Sequence, residues 1–219
     1  MSGSPTPARY VAPSAQAQAA ANLIVEAMST SAGSPHGMPD LSNLHQTNVA
    51  AHMLNLMVGK SGYPEPVGFL VVTYARLVDK VLAEWSNARD ALSGFMRGAT
   101  PISQQFFAAQ GMVEDLVVSL DRAMRFGVAL GKAPSTNALA REFPPSADID
   151  RVRRFRNRIA HGDDDLVEGK GGKGVATATP EITRDAIGMS GIRLSFNELA
   201  AWITQLNDFA RVLIAHRVI

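Results

Sequence analysis

An all-α bundle of four main helices, preceded by an N-terminal helical extension, is the fold class that the sequence predicts. Three observations point to it. Apolar residues recur at alternating steps of three and four over long stretches, which is the helical period. Gly and Pro sit between those stretches and punctuate them. Only two short segments, 175–179 and 191–195, are compatible with strands, as a small β-hairpin before the last helix.

The elements follow in order. Residues 1–13 are rich in Pro, Ser and Gly and are expected to be disordered. Residues 14–58 form the helical extension. Its Ala-rich first part, 14–29, carries a short stripe of Leu23, Ile24, Ala27 and Met28. After a loop over 30–39, Asp40 or Ser42 caps a helix to about Val58, with Leu41, Leu44, Val49, Met53, Leu56 and Met57 turned inward. GKSGYPEP at 59–66 breaks it, and the bundle is expected over 59–219.

The first bundle helix spans 67–97, with Leu70, Tyr74, Leu77, Val81, Trp85, Ala88, Leu92 and Phe95 facing the core. At 1.5 Å per residue it is about 45 Å long. Gly98 ends it and Pro101 opens the second, 101–130, whose apolar face holds Ile102, Phe106, Val113, Leu116, Val117, Leu120 and Met124. So short a connector makes the two antiparallel. A loop follows over 131–147, with room for one helical turn at 135–141. The third helix spans 148–161 and is expected to stop at Gly162, and 163–194 are expected to be non-helical. Ser195-Phe196-Asn197-Glu198 has the pattern of a capping box and opens the last helix, 195–217. Its inward residues are Leu199, Trp202, Ile203, Leu206, Phe209, Leu213 and Ile214.

Composition bounds the function. With 219 residues the chain is one domain, or one with a small extension. A hydrophobic share of 46% excludes a wholly disordered chain. The absence of cysteine excludes a disulfide framework, a thiol nucleophile and any cysteine-ligated metal. Twenty-one basic residues against 20 acidic ones exclude a globally basic nucleic-acid binder but not a local basic patch. The start lacks the basic-then-apolar form of a signal peptide. The most apolar window, VGFLVV at 67–72, falls far short of the roughly 20 residues of a membrane span. A soluble, cytoplasmic protein is expected.

The segment DIDRVRRFRNRIAHGDDD at 148–165 carries the chemistry. On a wheel of about 100° per residue, Val152, Phe155 and Ile159 share the inward face. Arg151, Arg154 and Arg158 form one stripe, and Arg153, Asn157 and His161 a second. Arg156 lies between the second stripe and the apolar face, where it should be partly shielded. The bland alternative is a solvated, ion-paired face ending in a histidine that the helix dipole favours.

Arg156-Asn157-Arg158-Ile159-Ala160-His161 followed by Gly162 resembles the signature of the HEPN (higher eukaryotes and prokaryotes nucleotide-binding) domain family. That signature is an Arg, a polar residue, a short spacer and a His. The setting is similar too: a late helix of a bundle, a loose connector, then a final amphipathic helix. The resemblance covers roughly 67–219. It implies an up-down four-helix bundle and a homodimer in which two motifs meet across a two-fold axis. It also implies a metal-independent endoribonuclease of toxin–antitoxin, abortive-infection or other defence systems, with an antitoxin or other regulatory partner. Arg156, Asn157 and His161 would be the catalytic residues. Some members keep the fold only to bind nucleotide or RNA or to dimerise, which is the alternative function. Some toxins of the family carry a Tyr shortly after the His, where a partner nucleotidyltransferase modifies them; here Gly162-Asp163-Asp164 follow instead.

The residue types suit that chemistry. RNA is cleaved when its 2′-OH attacks the adjacent phosphorus, which needs a base, an acid and positive charge on the developing phosphorane. Imidazole serves as base or acid near neutral pH. A guanidinium fork matches phosphate oxygens. An Asn can hold the imidazole or a ribose hydroxyl. Each protomer supplies one such His, and a two-fold dimer brings the second His161. No cofactor or metal is expected. Arg153, Arg154 and Arg158 are expected to bind the RNA backbone.

Two neighbouring segments stay open to more than one reading. Asp163, Asp164 and Asp165 either pair with arginines or, less simply, hold a divalent metal with His161. GKGGKG at 169–174 is not a phosphate-binding P-loop. It is a flexible linker, or a loop whose Lys170 and Lys173 touch an RNA backbone. The extension over 14–58 is either bundle cladding or an adaptor that recruits a partner.

Overall fold

The computed structural model describes residues 37–44, 53–54, 63–96, 102–139, 143–167, 180–189 and 191–215. The expected disordered start, the 14–29 helix, most of the 40–58 helix, strand 175–179 and the lysines of the Gly-rich loop lie outside the described residues.

Four helices dominate: α1 (Glu65–Met96), α2 (Ile102–Lys132), α3 (Ser146–Val167) and α4 (Phe196–Ala215). A 3-10 turn, Asn137–Leu139, follows α2, and a three-stranded sheet of β1 (Glu181–Ile182), β2 (Ala186–Met189) and β3 (Ile192–Ser195) precedes α4. Helix α1 packs on α2 and α4, α2 also packs on α3, and β3 touches both α3 and α4.

The contacts give the helix directions. Phe95 lies 5.5 Å from Phe106 at one end of the α1–α2 pair. At the other end Gly127 is so close to Tyr74 that an added Cβ would come within 3.2 Å of its ring. These helices are therefore antiparallel. Phe143, just before α3, closes on the same Gly127, while Gln110 near the start of α2 donates to the Pro180 carbonyl beyond α3. Helix α3 thus runs back along α2. Tyr63 donates to the Leu213 carbonyl and Tyr74 to that of Leu206, so α4 runs antiparallel to α1. The pairs α1–α2, α2–α3 and α1–α4 are thus each antiparallel, which leaves α2 and α4, also in contact, parallel.

The periodic residues are where their spacing requires. Tyr74, Val81, Trp85, Ala88, Val113, Leu116, Leu120, Met124, Val152, Phe155, Leu199, Ile203, Leu206 and Leu213 are buried in one core. Fully burying such a side chain contributes about 1.5–3 kcal/mol each before conformational entropy is charged against it. Gly127 is what lets the Phe143 ring reach this core, because a Cβ would overlap it.

Three expectations need correction. Helix α3 does not stop at Gly162 but continues through Val167. A helical glycine costs about 1 kcal/mol, and with no proline before Val167 nothing stronger than that opposes continuation. The strand at 191–195 pairs with the adjacent Ala186–Met189, within the stretch expected to be loop, Met189 standing opposite Ile192. The intervening two-residue turn contains Gly191 at φ 78°, and so short a closure costs less entropy than a longer loop. Strand β1 then extends the hairpin to three antiparallel strands. Finally, residues 41–44 form a turn rather than a helix, and Met53 is exposed rather than inward.

That turn is tied to the bundle. Asp40 accepts from the Ser42 N–H at 2.9 Å, and Trp85 Nε1 donates to the Pro39 carbonyl at 3.1 Å. Gly37 N–H donates to the Arg184 carbonyl in the β1–β2 turn. Leu41 and Leu44 pack against the core as their positions predict.

Candidate functional site on helix α3

Val152 and Phe155, both without exposed surface, hold α3 to the bundle, with Ile149 and Ile159 packed beside them. A second anchor is polar. Arg151 Nη2 lies 2.6 Å from Glu198 Oε1 and 3.6 Å from Asp148 Oδ1, and its guanidinium sits 5.1 Å over the Trp202 ring. Glu198 is the acidic member of the capping box. Its Oε2 accepts the Ser195 N–H at 2.9 Å and the Ser195 hydroxyl at 2.7 Å, while its own N–H donates to Ser195 Oγ at 3.2 Å. One carboxylate thus caps α4 and braces α3. Burial pushes the Glu198 carboxyl up, but the Ser195 hydrogen bonds and the Arg151 guanidinium outweigh it and hold the group below its ordinary value.

These anchors fix which way the motif faces. Asn157, Arg158 and His161 are exposed, as are Arg153 and Arg154. Arg153 Nη2 is paired with Asp150 at 2.8 Å across one turn. Arg153, Asn157 and His161 recur every four residues, so the exposed stripe expected from the sequence is present. His161 lies six residues before the end of α3, beyond the last turn in which a helix dipole acts. A role as the dipole-favoured final histidine is therefore excluded.

Arg156 is placed differently. Its side chain is 25% exposed, and its Nε lies 3.3 Å from Oδ2 of Asp121 in α2. Five residues of α-helix rotate a side chain by about 140°, so Arg156 and His161 of one chain point to different sides of α3. Arg156 faces α2, whereas His161 faces solvent.

Asp121 was not among the residues the sequence singles out. It is 1% exposed, and Arg125 Nε reaches the same Oδ2 at 3.2 Å from one turn further along α2. A signal was present: Asp121 occupies a core-spaced position between Val117 and Met124, both fully buried. An acid on an apolar stripe requires a cation from elsewhere, and α3 is the arginine-rich helix beside it.

Lys170 and Lys173 lie outside the described residues. Among the described residues no three His, Cys, Asp or Glu come together as a metal site, and no helix is long and apolar enough to cross a membrane. A cavity of about 340 Å³ lies between the 40–44 turn and α1, lined by Asp40, Leu44, Trp85 and Arg89 among others. It includes none of the α3 residues. Comparison with family models, with curated proteins and with solved structures finds no match for the chain.

Proposed function

We propose that the chain is a metal-independent endoribonuclease of the HEPN type, acting as a homodimer. The observation that carries this reading is the exposed pairing of Asn157 and His161, one turn apart, on a helix whose opposite side is locked by Val152, Phe155 and Arg156. In the mechanism, His161 takes the proton of the ribose 2′-OH as the oxygen attacks phosphorus. The imidazole of the second protomer returns a proton to the leaving 5′-oxygen. Asn157 orients the imidazole or a ribose hydroxyl. Arg158, and the Arg156 brought by the second protomer, supply charge to the phosphorane oxygens, and Arg153 and Arg154 track the backbone. Lys170 and Lys173 would add to that track. The biological setting that fits is a cytoplasmic toxin or defence nuclease restrained by an antitoxin or similar partner.

One observation favours a second reading, a non-catalytic RNA- or nucleotide-binding or dimerisation module. Arg156 is engaged with a buried carboxylate and turned away from the His161 of its own chain. The two readings separate on His161. The full chain, shown to be folded and dimeric, is incubated with RNA in EDTA, and the products are analysed for 2′,3′-cyclic phosphate ends. Cleavage abolished by His161→Ala, with an unchanged melting temperature, supports the nuclease. A folded dimer that binds RNA equally well with and without His161 and cuts none is the binding module.

A further inference from the structure

The buried Asp121 has no place in the mechanism above, yet it organises charge at the motif. Its two oxygens are shielded from water, and among the described residues no well-directed hydrogen bond reaches either. What reaches Oδ2 is a pair of guanidiniums, Arg125 Nε at 3.2 Å and Arg156 Nε at 3.3 Å. A buried carboxylate is costly unless a cation compensates it, and Arg125, in the same helix, would suffice for that. The second arginine leaves the cluster with two positive charges against one negative.

The orientation of the excess charge matters. For both arginines the approach to Asp121 is through Nε. A guanidinium carries five N–H donors, so each arginine anchored at its inner nitrogen keeps terminal N–H groups for a ligand. Arg125 is 55% exposed and Arg156 25%, so both forks are reachable from solvent. Two parallel N–H donors per fork fit the oxygens of a phosphodiester. Arg122, also exposed, follows Asp121 directly and adds charge on the α2 side.

We propose that Asp121 is the positioning residue of a two-arginine clamp, Arg125 from α2 and Arg156 from α3, that holds one phosphodiester of a single-stranded RNA. Arg125 thereby joins the RNA-binding surface, which no longer belongs to α3 alone. The identity of the ligand as RNA rests on the function proposed above; the clamp itself rests on the shared Oδ2.

The test separates positioning from bulk charge. Asp121→Asn raises the local charge by one unit. Were charge alone at work, it would tighten RNA binding; if Asp121 aims the forks, binding weakens. The full chain is titrated by fluorescence anisotropy against a labelled single-stranded RNA with 2′-O-methyl riboses, which cannot be cleaved, over 50–200 mM salt. Arg125→Gln and Asp121→Asn are each expected to weaken binding about tenfold. Arg125→Gln should also lower the slope of log affinity against log salt by about 0.7, the loss of one phosphate contact on a single strand. Asp121→Glu should restore part of the affinity lost in Asp121→Asn. Because Arg125 is largely exposed, its variant stays folded and keeps the test decisive if Asp121→Asn unfolds. Unchanged affinity and slope in Arg125→Gln, or tighter binding by a folded Asp121→Asn, overturns the clamp. Cleavable RNA is assayed in parallel. Cutting by the parent chain with unaltered affinity in both variants would leave the nuclease and remove the clamp. Loss of affinity without any cutting by the parent would do the reverse.

Discussion

Replacing Arg156 with alanine should destabilise the fold, not only impair chemistry. Asp121 Oδ2 has two cationic neighbours, at 3.2 and 3.3 Å. Removing one partner of a fully buried ion pair costs about 3–5 kcal/mol, because the other charge is left uncompensated. Two features lower that figure here. Arg125 remains beside the carboxylate, and the 25% exposure of Arg156 shows that water already reaches its end of the pair. A loss of about 1–2 kcal/mol is the reasoned value. For a chain of this size each 1 kcal/mol moves the melting temperature by about 2–4 °C, which makes the shift about 2–8 °C. A double-mutant cycle with Asp121→Asn, read by urea unfolding at neutral pH with circular dichroism, isolates the pair. Once the carboxylate is neutral, Arg156→Ala should cost markedly less, giving a coupling of about 1 kcal/mol or more. Additivity within about 0.5 kcal/mol would refute the reasoning. Arg156 would then owe nothing to Asp121, and the 3.3 Å approach would be energetically empty.

Two further outcomes test the anchoring of the motif helix. Glu198 titrates below its ordinary value, so it contributes stability above pH about 4.5 that is lost as the pH falls through its lower folded value. Acid unfolding profiles should show Glu198→Gln with a shallower fall than the parent chain below pH about 4.5. Ser195→Ala, which removes the cap of α4, should lose about 1 kcal/mol at neutral pH by urea unfolding. Coincident acid profiles would contradict the first of these. Gly127→Ala should be destabilising by about 1–3 kcal/mol, since the new methyl displaces the Phe143 ring. A melting temperature equal to that of the parent would show that the ring moves aside at no cost.

The four helices were legible because each repeats a local pattern. Leu77, Val81, Trp85, Ala88 and Leu92 need only the 3.6-residue period to be placed on one face, and all are buried. Ser195 and Glu198 are three residues apart, so their reciprocal bonds follow from the sequence alone. The motif stripe of Arg153, Asn157 and His161 was legible for the same reason. The end of α3 was not, because a glycine stops a helix only where the surrounding chain draws it into a left-handed turn. Strand Ala186–Met189 was not legible either, because Ala-Ile-Gly-Met lacks the alternation that marks a strand, and its place beside β3 is set by the short turn between them.

The sequence by itself determined the four helices, the residues each turns inward, and an arginine-rich stripe left outside. Only the tertiary structure decided which acid the half-shielded arginine meets. The helical wheel sets Arg156 at the margin of the apolar face, but its partner Asp121 lies 35 positions away and no local pattern joins the two. Their meeting depends on α3 running back along α2, which sets a core-spaced acid against that one guanidinium. A helical period fixes the direction of a side chain within its own element, whereas the partner it finds is fixed by how elements pack.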